Sequence, residues 1–196
     1  MSGANTNRLA LVTGASRRIG RTIALALADD GWQVAVHYRS SAHEAAEVVA
    51  EIAAQGGRAK AFQCDLADAR AVAELVPRVG RQFGPPSCLI NNASEFRLDT
   101  LGSMTTETWD LHLDVNLKTP VFLAKAMAES LPGGETGNVI NIIDQRVWKL
   151  TPEFFSYTIA KSGLWTATRT LAQALAPRVR VNAIGPGPVL QSVHQA

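Results

Sequence analysis

Two cysteines and four histidines in 196 residues leave little from which to build a metal centre or a disulfide framework. Cys64 and Cys88 lack metal-type spacing and border apolar, strand-like runs, so they read as buried thiols of a reducing compartment, by default the cytoplasm. His43, His112 and His194 also lack ligand spacing and carry no functional signal. No apolar run approaches the roughly 18–20 residues of a membrane span, and the start lacks the charged-then-apolar order of a signal peptide. Neither sign of charge dominates. The formal net charge is +2 with Lys and Arg scattered along the chain, which argues against nucleic acid as a partner.

What is present is an ordinary globular composition, 46% hydrophobic and 18% charged. Short apolar runs alternate with longer helical ones. Leu9–Thr13, Gln33–Tyr38, Ala59–Cys64, Cys88–Asn91, Asn138–Ile143 and Val179–Ile184 predict six strands. Between them lie helical stretches Ile19–Asp30, Ala42–Gln55, Ala67–Phe83, Thr105–Ser130 and Phe154–Ala176. Gly31, Gly56-Gly57 and Gly84 stop the first three, and Pro120 should kink or break the fourth. Strand–helix alternation of this kind implies an α/β fold, a Rossmann-like, doubly wound parallel sheet. With no linker, low-complexity tract or repeat, residues 1–196 read as one domain.

Thr13-Gly14-Ala15-Ser16-Arg17-Arg18-Ile19-Gly20 joins the first strand to the first helix. Glycines there permit a sharp turn, and the helix N-terminus offers free N–H groups to a pyrophosphate. By itself such a turn often holds no ligand. The second strand ends in His37-Tyr38-Arg39-Ser40-Ser41, without the carboxylate that would hold a ribose 2′-hydroxyl. Arg17, Arg18, Arg39 and the serine hydroxyls suit a 2′-phosphate instead, which points to NADPH. Tyr157 and Lys161 stand four residues apart on one helical face, where an adjacent ammonium would lower the phenol pKa.

Together these residues resemble the short-chain dehydrogenase/reductase family: Gly14 to Gly20, Asp65-Leu66, Asn91-Asn92-Ala93, Asn116, Tyr157/Lys161 and Pro186-Gly187 occur in its order. The resemblance implies that Gly14, Ser16, Arg18, Ile19 and Gly20 line the pyrophosphate turn. It implies that Asp65 and Leu66 meet the adenine, and that Asn92, Ala93 and Ser94 pass along the cofactor. Pro186, Gly187 and Val189 would abut the nicotinamide. Tyr157 would be the proton donor, Lys161 would also hold the ribose hydroxyls, and Asn116 would fix a water-linked proton route. The family's dimer joins the helices carrying Asn116 and Tyr157, so a homodimer or homotetramer is implied.

Two positions depart from the usual pattern. Arg18 stands where most members carry glycine, and Asp144 occupies the place of the catalytic serine, thirteen residues before Tyr157. A serine hydroxyl stabilises the oxyanion of a reduced ketone. An ionised aspartate opposes it and favours a protonated C=N group. Both departures, with His37-Tyr38 and Asn91 to Phe96, are similar to pteridine reductases. There the aromatic at Phe96 stacks on the pterin, so Ser94, Phe96, Asp144 and Tyr157 become the candidate substrate site. The expected reaction is NADPH-dependent hydride transfer to a dihydropterin or dihydrofolate. Carbonyl or 3-oxoacyl reduction is one alternative, and a non-catalytic nucleotide-binding protein is another. Family members continue through further helices and a seventh strand. The sequence stops at Ala196, so that part of the fold is expected to be missing and Val179–Ile184 to form an exposed edge.

Overall fold

A computed structural model describes residues 8–187. Six parallel strands form one sheet: β1 (Leu9–Val12), β2 (Gln33–Tyr38), β3 (Ala59–Gln63), β4 (Cys88–Asn91), β5 (Gly137–Ile142) and β6 (Val179–Ile184). Their order is β3-β2-β1-β4-β5-β6, so the winding reverses between β1 and β4 and opens a crevice at the strands' C-terminal ends.

β1 shows why the apolar runs take this form. Leu9 and Leu11 face a core shared with α3 (Ala69–Phe83), α5 (Thr119–Ser130) and α6 (Phe155–Leu175). Ala10 and Val12 face the opposite layer, against α1 (Arg18–Asp29) and α2 (Ala42–Ala54). All four side chains are fully buried. A strand covered on both faces needs an unbroken apolar run rather than alternation, and each such leucine contributes about 1.5–3 kcal/mol by burial. Cys64 and Cys88 are buried free thiols, and burial pushes them up to about 11 and about 12 respectively. No described helix is long and apolar enough to cross a membrane.

The helix stops fall where glycine was expected. Gly31, Gly56 and Gly84 have φ of 81°, 81° and 87°, a left-handed backbone that glycine adopts without a Cβ clash. α3 starts two residues later than the sequence suggests, because Asp68 caps it, accepting the N–H groups of Arg70 (2.8 Å) and Ala71 (3.3 Å). The long helical region divides upstream of Pro120, into α4 (Thr106–Leu113), a π turn (Asp114–Lys118) and α5. Pro120 sits in the first turn of α5, where its missing N–H costs nothing. The register change falls before it, with Thr119 N–H reaching back to Asp114 O.

A buried polar ladder pins α6 to the sheet. Asn91 Nδ2 donates to Asn141 Oδ1 (2.8 Å), and Asn141 Nδ2 donates to Thr168 Oγ1 (2.9 Å). Thr168 Oγ1 closes the ladder onto Leu164 O at 2.8 Å. Buried networks of this kind fix one arrangement of the layers, here with Asn91 Oδ1 left as a buried acceptor without a partner. α6 carries Tyr157 and Lys161, so the ladder also fixes where they stand.

Candidate active site

The crevice at the β1/β4 reversal is a cleft of about 910 Å³, at the upper end of the range for small-molecule sites. Gly14, Ser16, Arg17, Arg18, Ile19, Gly20, His37, Tyr38, Arg39, Ser40, Asp65, Leu66, Asn92, Ala93 and Ser94 line it. So do Phe96, Asp144, Tyr157, Lys161, Pro186 and Gly187. Val189 lies outside the described residues.

The turn after β1 is held by side chains from three strand ends, those of β1, β2 and β4. Asn92 Nδ2 donates to Thr13 O (2.9 Å) and Gly14 O (3.2 Å), and Thr13 Oγ1 accepts from Asn92 N and Ala93 N. His37 Nδ1 accepts Gly14 N–H at 3.0 Å, so its proton sits on Nε2, which donates to Cys64 O at 3.0 Å. Burial lowers the imidazole to about 4 and keeps it neutral. His37 thus meets the cleft as a support beneath Gly14, with both nitrogens committed. Gly20 leaves no alternative to glycine: a Cβ there would lie 2.1 Å from Gly14 O and 2.5 Å from Asn92 Nδ2.

Two residues other than glycine have a left-handed backbone among the described residues, Arg18 (φ 51°) and Phe154 (φ 55°), and both line this cleft. Strain of that kind, about 1–3 kcal/mol each, persists where surrounding structure imposes it and concentrates at functional sites. The residue replacing the usual glycine therefore keeps glycine's backbone. Beside Arg18, Arg17 pairs with Glu44, and after β2 Arg39 pairs with Glu95. The two arginines are 61% and 51% exposed and remain reachable by a phosphate.

On α6, Tyr157 and Lys161 are buried, at 5% and 2% exposure. The Tyr157 hydroxyl donates to Asp144 Oδ2 at 2.9 Å, and Asp144 Oδ1 accepts Arg146 N–H at 2.9 Å. Lys161 Nζ donates to Ile142 O at 2.8 Å, and burial lowers its pKa to about 8 while Asp144 works the other way. The expected lowering of the phenol by lysine is not what the structure shows. Burial, then the Asp144 charge and hydrogen bond, push Tyr157 upward, so the phenol keeps its proton through neutral pH. That is the protonation state a donor requires.

Phe96 packs edge-on to Tyr157 (centroids 4.6 Å, 71°) and stacks flat on Phe154 (4.2 Å, 2°), with the Arg146 guanidinium on the Phe154 ring. Asn116 does not line the cleft. Its side chain is spent on the neighbouring loop, donating to Glu95 O (2.8 Å) and accepting from Glu95 N and Ser94 Oγ (3.0 Å each). It therefore holds the segment that presents Phe96. Trp148 and Trp165 pack edge to face, 5.5 Å apart. Sequence reasoning misses Phe154, Arg146, Glu95 and the buried groups around His112. The sequence reads Phe154 as the first residue of a helix, whereas the structure starts α6 at Phe155 and puts Phe154 in a left-handed turn that nothing in its neighbourhood signals.

A family model described as short chain dehydrogenase matches residues 8–196. Among solved structures, FolM alternative dihydrofolate reductase 1 from Brucella canis, complexed with NADP, is 51% identical with a TM-score of 0.91. That match covers 94% of this chain and 75% of the other. A short chain dehydrogenase from Burkholderia cenocepacia in complex with NADP is 39% identical, TM-score 0.88, over 93% and 74%. The curated 3-oxoacyl-[acyl-carrier-protein] reductase of Synechocystis sp. is 42% identical over 184 residues, 93% of this chain and 74% of the relative.

Proposed function

Because the chain belongs to the short-chain dehydrogenase family, we propose that it is an NADPH-dependent reductase of a C=N bond in a dihydropterin or dihydrofolate. One observation carries the substrate assignment: the proton donor Tyr157 bonds a carboxylate, Asp144, at 2.9 Å. Negative charge at that point opposes the oxyanion of a ketone and stabilises the cationic protonated imine. Phe96, stacked on Phe154 and edge-on to Tyr157, adds an aromatic wall to the cleft for a planar heterocycle. The 51% identity to the Brucella dihydrofolate reductase supports the same reading.

The cleft fits the cofactor. Gly14 and Gly20 bring bare backbone to the N-terminus of α1, where a pyrophosphate is held by N–H groups. Arg17, Arg18, Arg39 and Ser40 would take a 2′-phosphate, Asp65 and Leu66 would border the adenine, and Pro186 and Gly187 would meet the nicotinamide. NADPH, when bound, supplies the hydride. Tyr157 delivers the proton, Lys161 holds the ribose hydroxyls, Asp144 orients the ring and balances its positive charge, and Phe96 excludes water from one face. We place this machinery in one domain, working in the cytoplasm. Half-exposed Phe122 on α5 and Ile159 on α6 support a homodimer through those helices.

Reduction of a 3-oxoacyl thioester is the second reading, favoured by the 42% identity to the Synechocystis enzyme. Titration with NADPH and NADH, followed by turnover of 7,8-dihydrobiopterin against acetoacetyl-coenzyme A, separates the two. Tight, NADPH-selective binding with dihydrobiopterin turnover is expected. Preference for the thioester would overturn the substrate assignment, and binding of neither cofactor would overturn the cofactor assignment.

A further inference from the structure

α4 carries a histidine that the proposed reduction leaves idle. His112 is fully buried, and both its ring nitrogens are engaged. Nε2 faces the backbone N–H of Arg97 at 3.0 Å. An amide N–H only donates, so Nε2 is bare and the ring proton sits on Nδ1. Nδ1–H therefore donates to Ser156 Oγ at 2.6 Å, and that hydroxyl donates onward to the Asp99 carboxylate. Asp99 is itself 2% exposed and also accepts Ser156 N–H, at 3.3 Å from each oxygen. Every proton in the chain from His112 through Ser156 to Asp99 has a fixed direction.

The positions of the two anchor points matter more than the bonds themselves. Arg97 follows Phe96, and Ser156 precedes Tyr157. One rigid ring therefore bridges the residue beside the aromatic surface to the residue beside the proton donor, and lies 6.0 Å from the Tyr157 ring. We propose that His112, with Ser156 and Asp99, is a positioning residue that sets the separation of Phe96 from Tyr157, and that it does so only as the neutral Nδ1–H tautomer. The roles of Phe96 and Tyr157 in this proposal rest on the reading in the preceding subsection.

A second proton on the ring would place N–H at Nε2 against the N–H of Arg97, donor against donor. The loop would have to move, taking Phe96 with it. Burial holds the His112 pKa below its ordinary value, Asp99 and Glu95 pull it up, and Arg97 pushes it down. Tyr157, from α6, faces the ring as a neutral phenol. The clamp thus holds at neutral pH and opens on acidification. A misplacement of about 1 Å between reacting groups can cost about 100-fold in rate.

The direct test is nitrogen-15 NMR of the imidazole in the full chain, titrated with acid. The expected result is a neutral Nδ1–H ring that persists below the ordinary histidine pKa of about 6.5. An Nε2–H tautomer, or titration at that ordinary value, would overturn the proposal. The second arm measures NADPH affinity and dihydrobiopterin turnover in His112→Phe and Ser156→Ala. Turnover should fall about 100-fold with NADPH affinity nearly unchanged, and His112→Phe should lose the acid limb that wild type shows. Unchanged turnover, or turnover and NADPH affinity lost in proportion, would sink the clamp. Should His112→Phe not fold, Ser156→Ala decides between these outcomes. If wild type binds NADPH but reduces only acetoacetyl-coenzyme A, the pterin reading fails alone, and the turnover arm is read on the thioester.

Discussion

Replacing Asp144 by asparagine or serine is the perturbation that separates imine from ketone chemistry. The Tyr157 hydroxyl lies 2.9 Å from Asp144 Oδ2, so an atom that Tyr157 protonates comes within about 4 Å of the carboxylate, where opposite charges at an effective dielectric of 20 attract by about 4 kcal/mol. Taken wholly in the transition state, that is about a thousandfold in rate. Because the cleft is open to water, a loss of about 100- to 1000-fold in kcat/KM is the expected range. NADPH affinity should hold, because Asp144 bonds Tyr157 and the Arg146 N–H rather than the turn at Gly14, and Arg17 and Arg39 have Glu44 and Glu95 as their partners. Removing the carboxylate also relieves part of the upward push on Tyr157, which favours ketone chemistry, so Asp144→Ser should gain activity on acetoacetyl-coenzyme A. The assay is NADPH consumption with each substrate. Full dihydropterin turnover in Asp144→Ser would refute the charge assignment.

Arg39→Ala and Arg17→Ala should each weaken NADPH by about 1 kcal/mol, little because both side chains are half exposed, and leave NADH unaffected; paired titrations at low and high salt check this. Gly20→Ala should abolish cofactor binding, since the added Cβ meets backbone 2.1 Å away and cannot be relieved by a rotamer change; cofactor fluorescence reads it directly. His37 is lowered from 6.5 to about 4, so below pH 6.5 the unfolded chain binds a proton that the folded chain refuses. Stability should therefore fall as pH drops through that window, by up to about 3 kcal/mol at about 1.4 kcal/mol per pKa unit. Denaturant titrations of wild type and His37→Gln between pH 7 and 4 would show a steeper slope in wild type, the part that remains in the variant including the contribution of His112.

The legible parts of this fold share one property: their signal is local. An unbroken apolar run such as Leu9 to Val12 announces a strand buried on both faces, and Gly31 or Gly84 announces a left-handed stop, because cause and consequence lie within a few residues. The Gly-containing turn after β1 and the placing of Tyr157 and Lys161 on one helix are legible for the same reason. What escapes is made by distant partners. His112 and Ser156 are 44 residues apart and Asp99 and Ser156 57, with no periodicity linking them. The carboxylates facing Arg17 and Arg39 are equally remote, 27 and 56 residues away. The rise of the Tyr157 pKa is hidden from the sequence although Tyr157 and Lys161 themselves are not. Spacing on a helix places the ammonium beside the phenol, but burial and Asp144 outweigh it, and burial is a property of the assembled layers.

The substrate question cannot be decided by overall identity, and the structure shows why. Many of the contacts in this chain serve the fold whatever the substrate: turning the chain at Gly14 and Gly20, tying Asn92 to Thr13, locking α6 through Asn91, Asn141 and Thr168. A dihydrofolate reductase at 51% and a 3-oxoacyl reductase at 42% can both match on those grounds. On the proposed reading, the reaction is decided within one side chain's reach of Tyr157. There a hydroxyl at position 144 would donate a hydrogen bond to developing negative charge, whereas the carboxylate present can only accept one. That difference reverses which charge the site stabilises, so one position bears more on substrate class than the many that hold the cofactor turn.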